Sequence, residues 1–275
     1  MKLLKFSAVA ALLALSGSAF AAGFTSPTFG VLRSDNSNFD VFPVAINFTG
    51  AGGSEVAVAD IIKTATLKEN DILYVYDKAK GVYKTYKLTA KDDELQWVGE
   101  KSYTIDDTGN MTENEGTAPE ITTVPVGASV FLKTASTNPV YTMGEVVSSL
   151  VGQSIAVSAG ANLIALPYQV GGDLNDSHIQ WTGVASSTIA GAVITEVGDE
   201  IRVMTSDSGM TVSERYFYNG SKWGRVVMST ETVTIGGKER SVTRSTFSTD
   251  NAVVPVGKGF WYIRQSGDMS ISFTE

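Results

Sequence analysis

Four aromatic side chains in the C-terminal half are of the types that stack on sugar rings. They are Trp181, Tyr216, Tyr218 and Trp223, and the last three flank an Asn-Gly pair. Tryptophan and tyrosine combine a flat apolar face with a polar edge, which suits a saccharide. Alternate aromatics on strands more often pack a core or cover a sheet face. The four residues are therefore candidate glycan or partner contacts, with core packing as the alternative.

Two carboxylate-rich segments contain side chains of the kind that bind calcium. One comprises residues 173–176 (DLND), and the other comprises residues 106–110 with Glu113 and Glu115. Neither has the ligand order of an EF-hand or its closing glutamate. Because Asp and Asn side chains commonly cap turns, we predict a capped turn at 173–176. We predict a solvated insertion at 106–115, where calcium binding stays an alternative, and we assign no metal site.

The sequence offers few groups for covalent or acid–base catalysis. It has no cysteine and a single histidine, His178, which lies in a turn-like stretch. The composition excludes disulfides, cysteine-based zinc sites, thiol nucleophiles and multi-histidine metal sites. No serine elbow or carboxylate partner pattern accompanies His178. We predict that the chain is not an enzyme and uses no cofactor. A secreted hydrolase with two acidic residues is the least favoured alternative.

Charge and hydropathy describe a folded acidic protein. The 275 residues are 43% hydrophobic and 18% charged, with a formal net charge of −8. This apolar content is enough for sizeable cores, and the length suits two domains or one large β domain. Phosphate backbones are repelled by an acidic surface without a basic cluster, so the composition disfavours nucleic-acid binding.

The first 22 residues read as a cleaved signal peptide. Lys2 and Lys5 precede a mostly apolar stretch over residues 6–15, and the Ala-Phe-Ala triplet at 19–21 predicts cleavage after Ala21 or Ala22. Residues 16–18 (SGS) interrupt the apolar run, which is shorter than a membrane span requires. We expect an exported protein that is extracellular or at the cell surface, or alternatively periplasmic. We expect no transmembrane span after cleavage.

Internal similarity divides the rest of the chain into two modules. Residues 30–43 align with 154–167 at an offset of 124, which matches Pro43 to Pro167. Two further pairs keep the same order at similar offsets: 70–77 with 198–205, and 124–132 with 254–262, which share Val-Pro-Val-Gly. Chance similarity would not stay collinear, so we predict diverged repeats at residues 23–145 and 146–275.

The elements that must position the candidate residues are strands. Apolar residues recur with period two, and Thr and Val are abundant, which predicts an all-β fold of two tandem β-sandwich or β-barrel-like modules. Asn219-Gly220 predicts a hairpin with a type I′ turn, and residues 235–238 (IGGK) suggest another turn. Residues 55–66 form either the one plausible helix, with Ser54 as its N-cap, or an irregular segment, because their amphipathic pattern is weak. Residues 260–263 (FWYI) should form a central strand.

The second module contains five segments that form an ordered pattern: AGANLIALPYQV, DLNDSHIQW, GDEIRV, YFYNGSKW and VPVGKGFWYIRQSG. In this pattern it resembles a family of largely uncharacterised bacterial secreted repeat proteins of the Verrucomicrobia and related lineages. The first module keeps the Asn38…Pro43, Asp71-Ile72 and VPVG pieces but has neither the Leu-Asn-Asp element nor the Gly-Phe-Trp ending. The resemblance implies an exported, β-rich, non-catalytic module whose glycines, prolines and tryptophans determine the fold.

Three functions remain in order of preference. The first is a structural or adhesive component of the cell surface or extracellular matrix, such as a fibre, layer or matrix subunit, whose partners are other copies or other surface proteins. The second is a carbohydrate-binding module protein. The third is the secreted hydrolase.

Overall fold

A computed structural model describes residues 29–34, 41–48, 55–57, 67–92, 94–105, 111–114, 123–135, 140–146, 151–167, 170–189, 193–204 and 212–274. These residues form an all-β protein of antiparallel sheets, which confirms the predicted fold class. Below, the first half means the described residues up to 146, and the second half means those from 151. The predicted leader lies outside the described residues.

The first half contains ten of the described strands: β1 (Phe29–Ser34), β2 (Val41–Ala45), β3 (Glu55–Ala57), β4 (Ile72–Asp77), β5 (Val82–Lys91), β6 (Glu94–Ile105), β7 (Met111–Asn114), β8 (Thr123–Pro125), β9 (Ser129–Lys133) and β10 (Val140–Glu145).

The second half contains eleven: β11 (Ser154–Val157), β12 (Gly160–Ile164), β13 (Ile179–Gln180), β14 (Ser187–Ile189), β15 (Val193–Glu196), β16 (Glu200–Met204), β17 (Val212–Tyr218), β18 (Trp223–Ile235), β19 (Lys238–Ser248), β20 (Phe260–Arg264) and β21 (Met269–Phe273).

Each half is built on a six-stranded sheet, and the two sheets have the same strand order. The first sheet runs β2-β9-β4-β5-β6-β7, and the second runs β12-β20-β16-β17-β18-β19. Residues at matching positions carry matching side chains. Trp97 lies opposite Leu88, as Trp223 lies opposite Tyr218. The amide of Leu88 donates to the carbonyl of Asp71, as that of Tyr218 donates to Asp199.

Each six-stranded sheet is covered on one face by smaller sheets, which gives sandwich-like layers. The covering sheets are β1-β10 and β3-β8 in the first half and β11-β21-β13 in the second. Alternate residues of each strand point into the core, as the two-residue period requires. The largest fully buried side chains are Trp223, Tyr216, Tyr262, Phe42, Phe131, Phe260, Ile46, Leu73, Leu132 and Leu174.

A third apolar cluster joins the halves, and it lies on the sheet faces that point away from the two main cores. Phe131 of β9 and Leu163 of β12 are buried there, and Trp261 of β20 packs against them. Two main-chain hydrogen bonds cross the same junction reciprocally. Ala45 donates to Gly257 over 3.1 Å, and Ala165 donates to Gly127 over 2.8 Å.

The glycine of each Val-Pro-Val-Gly segment lies in the left-handed region, with φ of 88° at Gly127 and 79° at Gly257. A Cβ on Gly127 would stand 2.6 Å from Cγ1 of Ile155. Glycine at this position therefore allows both the left-handed turn and the close approach to Ile155 before strand β9. The strand that follows in the second half, β20, lies between β12 and β16, as predicted for a central strand.

The alignment of the first repeat segment is wrong by four residues. Pro43 of β2 pairs with Phe131, and Leu163 of β12 pairs with Trp261, so Pro43 corresponds to Leu163 and the offset is 120. Pro167 lies beyond the end of β12. A shift of four preserves a two-residue apolar period, so the apolar matches alone could not fix the register.

The predicted helix at residues 55–66 is also wrong where the structure describes it. Residues 55–57 form β3, which pairs with β8, and residues 58–66 lie outside the described part of the chain. Pairing with a neighbouring strand outweighs a weak helical pattern, because the ladder satisfies the backbone groups of this segment.

Both predicted hairpins form, but one turn differs in type. Tyr218 pairs with Trp223 around Asn219-Gly220, where Gly220 has positive φ and Asn219 does not. A type I′ turn needs positive φ at both positions, so that assignment is wrong. Instead, Oδ1 of Asn219 accepts from the amides of Ser221 and Lys222.

Candidate functional site

Three of the four predicted aromatic residues lie inside the second core. Tyr216 and Trp223 are 0% exposed and Tyr218 is buried, while Trp181 is partly exposed and packs against the same core. The ring of Trp181 meets that of Trp223 edge-on, with centroids 5.1 Å apart. The four aromatic residues thus pack together in and against the second core, and the three buried rings do not form an exposed surface for a sugar.

A buried polar network underlies these rings, and sequence reasoning missed it. The carboxylate of Asp199 accepts from the Tyr262 hydroxyl and the Arg264 guanidinium, each over 2.6 Å, and from the amide of Gln265 over 2.9 Å. Burial, and then the hydrogen bond to Asp199, raise the pKa of Tyr262. The repeated Asp71/Asp199 position was the available signal. The network fixes the loop after β20 to the start of β16.

Beside Trp181 is a polar recess of about 240 Å³, which we call the Trp181 recess. Trp181 and Tyr218 bring aromatic surface to it, and the hydroxyl of Tyr218 donates to the carbonyl of Trp181 over 3.3 Å. The other lining residues are Asn175, Asp176, Ser177, Ile179, Gln180, Ser221 and Lys222. Amides, hydroxyls and one amine beside an indole can bind a small polar ligand such as a saccharide unit.

The segment at 173–176 is a capped turn, as expected. Oδ1 of Asp173 accepts from the amide of Asn175, and Oδ1 of Asp176 accepts from that of His178, both over 2.8 Å. The side chain of Asn175 bonds both main-chain groups of Trp223. These bonds tie the turn to β18. In the part of the chain described, no group of three or more His, Cys, Asp or Glu side chains is placed to bind a metal ion.

His178 is a surface residue with an acidic neighbour. Its side chain is 51% exposed, and Nδ1 lies 2.6 Å from Oδ1 of Asp176. The backbone amide of His178 is the largest cause of the lowered pKa of Asp176. The prediction of a solvated insertion at 106–115 is wrong for residues 111–114, which form β7 because they pair with β6 at the edge of the sheet. In β7, Glu113 pairs with Lys101 over 2.8 Å. Residues 106–110 and Glu115 lie outside the described ranges.

A cavity of about 440 Å³ lies at the junction of the halves. At its edge, Nζ of Lys78 donates to Oδ1 of Asn162 over 2.6 Å and to the carbonyl of Ser158 over 2.7 Å. Burial lowers the pKa of Lys78, against an opposing effect of Asp268. Lys78 therefore ties the first half to the second through polar contacts beside the apolar cluster.

The most exposed regular element is the outer part of the β18–β19 hairpin. Residues 229–244 of this hairpin are called the arm below. Strand β17 pairs with β18 only at Trp223 and Gly224, whereas β18 and β19 pair along eleven positions. Every arm residue is exposed except Val233 and Val242, which are half-buried. The arm therefore extends beyond the sandwich as a two-stranded ribbon.

The two faces of the arm differ in chemistry. One face carries hydroxyl side chains, and Oγ1 of Thr230 lies 3.2 Å from Oγ1 of Thr243 across the ribbon. The other face combines apolar and charged residues: Glu231, Val233, Ile235, Lys238, Arg240, Val242 and Arg244. Ile235, near the tip, is 52% exposed, and Met228 at the base is 76% exposed. The sequence signal was the long Thr/Val alternation around Gly236-Gly237.

Comparison of the chain with protein-family models, with curated proteins and with solved structures gives no match. Within the described residues, no helix is long and apolar enough to cross a membrane.

Proposed function

We propose that this chain is an exported, non-catalytic structural or adhesive protein of the cell surface or extracellular matrix, and that it acts through the arm. The arm is the observation that carries the proposal. A two-stranded ribbon is only marginally stable alone in water, and its open edges are templates for strand addition. With seven residue pairs beyond Met228 and Ser245, the ribbon extends about 24 Å. A partner that covers it would stabilise it.

The rest of the molecule suits a scaffold that presents this arm. The shared strand order and the matching Trp97 and Trp223 support two diverged copies at residues 23–145 and 146–275. The leader supports export to an extracellular or surface location, with the periplasm as the alternative. Fractionation and surface labelling of cells that produce the full chain would test the location.

Removal of the arm tests the function. The native ribbon turns through Gly236-Gly237, with φ of 59° and 74°, between the paired residues Ile235 and Lys238. Hydrogen-bonded and non-hydrogen-bonded pairs alternate along the ribbon, and Ser229 with Arg244 is a pair of the same type as Ile235 with Lys238. Replacing residues 230–243 by Gly-Gly therefore shortens the hairpin and keeps its register. The full chain should assemble with rising concentration in sedimentation velocity and electron microscopy, and the shortened variant should stay monomeric at unchanged Tm. The control, R240K with R244K, retains the charges and should assemble. Assembly of the shortened variant would refute a role for the arm.

A second candidate function is carbohydrate binding at the Trp181 recess, which its polar lining beside an indole supports. Retention of the full chain on insoluble polysaccharides would test it. The variant K222A removes an exposed lining amine and should lose retention at unchanged Tm, while S266C, in an exposed loop elsewhere, should keep it. Absence of retention on every polysaccharide tried would remove this candidate.

A further inference from the structure

The two six-stranded sheets meet at one edge each, and at the other edge of each sheet no further strand pairs among the described residues. The inner edge strands are β2 and β12, and Ala45 at the end of β2 and Ala165 just after β12 donate main-chain hydrogen bonds across the junction. Ala128 also forms a bridge with Ile164 there. The outer edge strands are β7 in the first sheet and β19 in the second. Among the described strands, β7 and β19 each pair on one side only, so one copy offers two open sheet edges.

The charges of the two halves differ in a way that favours contact between unlike edges. Residues 23–145 carry 10 basic and 17 acidic side chains, and residues 146–275 carry 9 and 12. The arm reverses this balance, with three basic residues (Lys238, Arg240, Arg244) against two acidic ones (Glu231, Glu239). A net positive arm is repelled by another arm and attracted by an acidic first half.

From these two observations we infer that β19 of the arm pairs with β7 in the first sheet of a second copy. This inference rests on the proposed assembly function and names its partner and its geometry. Strand pairing satisfies the open main-chain groups of both edges, as in other cases of strand addition. Glu113 on β7, whose side chain stays 51% exposed beside its ion pair with Lys101, then faces a strand that carries Arg240 and Arg244.

Pairing of β19 with β7 is heterologous, because each copy uses a different edge for each neighbour. A heterologous contact that does not close into a ring produces an open linear assembly. The outer edges remain available at both ends of the growing chain of copies, whereas symmetric pairing of two arms would stop at a dimer. Without ring closure, the second sheet of one copy continues into the first sheet of the next, and the assembly is a filament.

Single cysteines can test the contact directly, because the chain has none of its own. Two arm variants, S241C and T243C, place thiols two residues apart on one face of β19, and T112C places one on β7. With a flexible thiol–thiol crosslinker, mixtures of an arm variant with T112C should give crosslinked pairs many-fold above either variant alone. The control S266C, in an exposed loop between β20 and β21, should not crosslink to the arm variants.

The outcomes separate this inference from the proposed function. Crosslinks between two T243C chains equal to those between T243C and T112C would overturn the inference in favour of symmetric arm pairing. Assembly of the wild-type chain without any arm-to-β7 crosslink would overturn the inference and leave the proposed function standing. A wild-type chain that stays monomeric at every concentration would refute both. Two further variants each reverse the charge of one edge: the double variant R240E/R244E on the arm, and E113R on β7. Each should weaken assembly alone, and a mixture of the two should restore it.

Discussion

Phe131 and Trp261 occupy equivalent positions in the two sheets and pack against each other, with ring centroids 6.1 Å apart. The next residue in each strand, Leu132 after Phe131 and Tyr262 after Trp261, lies in the core of its own half. The pair lies on the opposite face of its strands and joins the halves there. Together with the reciprocal bonds of Ala45 and Ala165, it makes the junction nearly two-fold in its contacts.

The variant F131A should weaken the coupling between the halves. Truncating a buried phenylalanine to alanine typically costs about 3–5 kcal/mol, and here the lost contacts include Trp261. Because the junction cluster holds the halves together, calorimetry should resolve two unfolding transitions in the variant where the wild type gives one. The control L95A removes an exposed side chain and should leave the transition unchanged. One cooperative transition in F131A would contradict the role of this pair.

The variant W223A should destabilise the second half severely. Trp223 contacts Trp181, Tyr218 and Tyr262, and its loss should cost about 3–5 kcal/mol in chemical denaturation. Nε1 of Trp223 has no hydrogen-bond partner among the described residues, so W223F should lose volume without breaking a described hydrogen bond and cost clearly less. If W223A and W223F lose the same free energy of unfolding, the packed volume of the Trp223 side chain is not the cause of the destabilisation.

Glycine at 127 should be required for two separable reasons. In G127A the new methyl group meets Ile155 while the backbone stays at positive φ, and left-handed backbone alone costs about 1–2 kcal/mol. The matched control is G81A, which has φ of 64° and nothing within 4 Å of the added Cβ. We expect G127A to lower the free energy of unfolding by more than G81A does. A smaller loss in G127A would contradict the close approach.

Glu200 should make the second half sensitive to acid. Its side chain is 2% exposed and pairs with Arg202 and Arg215. Burial acts to raise the pKa of Glu200, but the hydrogen bonds from Arg215 and Arg202 outweigh it and hold the pKa below its usual value. This stabilisation is present above the unfolded pKa of about 4.3 and is lost as pH falls through the folded pKa.

The variant E200Q should therefore differ from the wild type most at neutral pH. Removing the charge should cost about 1–3 kcal/mol near pH 7, and the difference in Tm should shrink as pH falls below 4. E231Q, which removes an exposed partner of Arg244, is the control and should show little difference at any pH. A difference that grows in acid would have the wrong sign for a lowered pKa.

The sequence was sufficient for the fold class and for features that local chemistry controls. Strand periodicity, the Gly236-Gly237 hairpin and the capped turn at Asp173 each depend on a few neighbouring residues. The register of Pro43 could not be read, because a period of two tolerates a shift of four. Burial of Tyr216 and Trp223 depends on which sheet face is covered, and this is set by β11, β13 and β21, far away in the sequence. The sequence did not predict the arm, because the hairpin is a free ribbon only where β18 extends past its pairing with β17, and the sequence does not show where that pairing stops.

The most direct test of the account is hydrogen exchange along residues 229–244 in dilute and in concentrated solutions of the full chain. We predict that the amides of this hairpin exchange fast in the monomer and slow by orders of magnitude on assembly, together with those of β7, while the cores stay unchanged. Assemblies in which the amides of residues 229–244 exchange as fast as in the monomer would contradict the account.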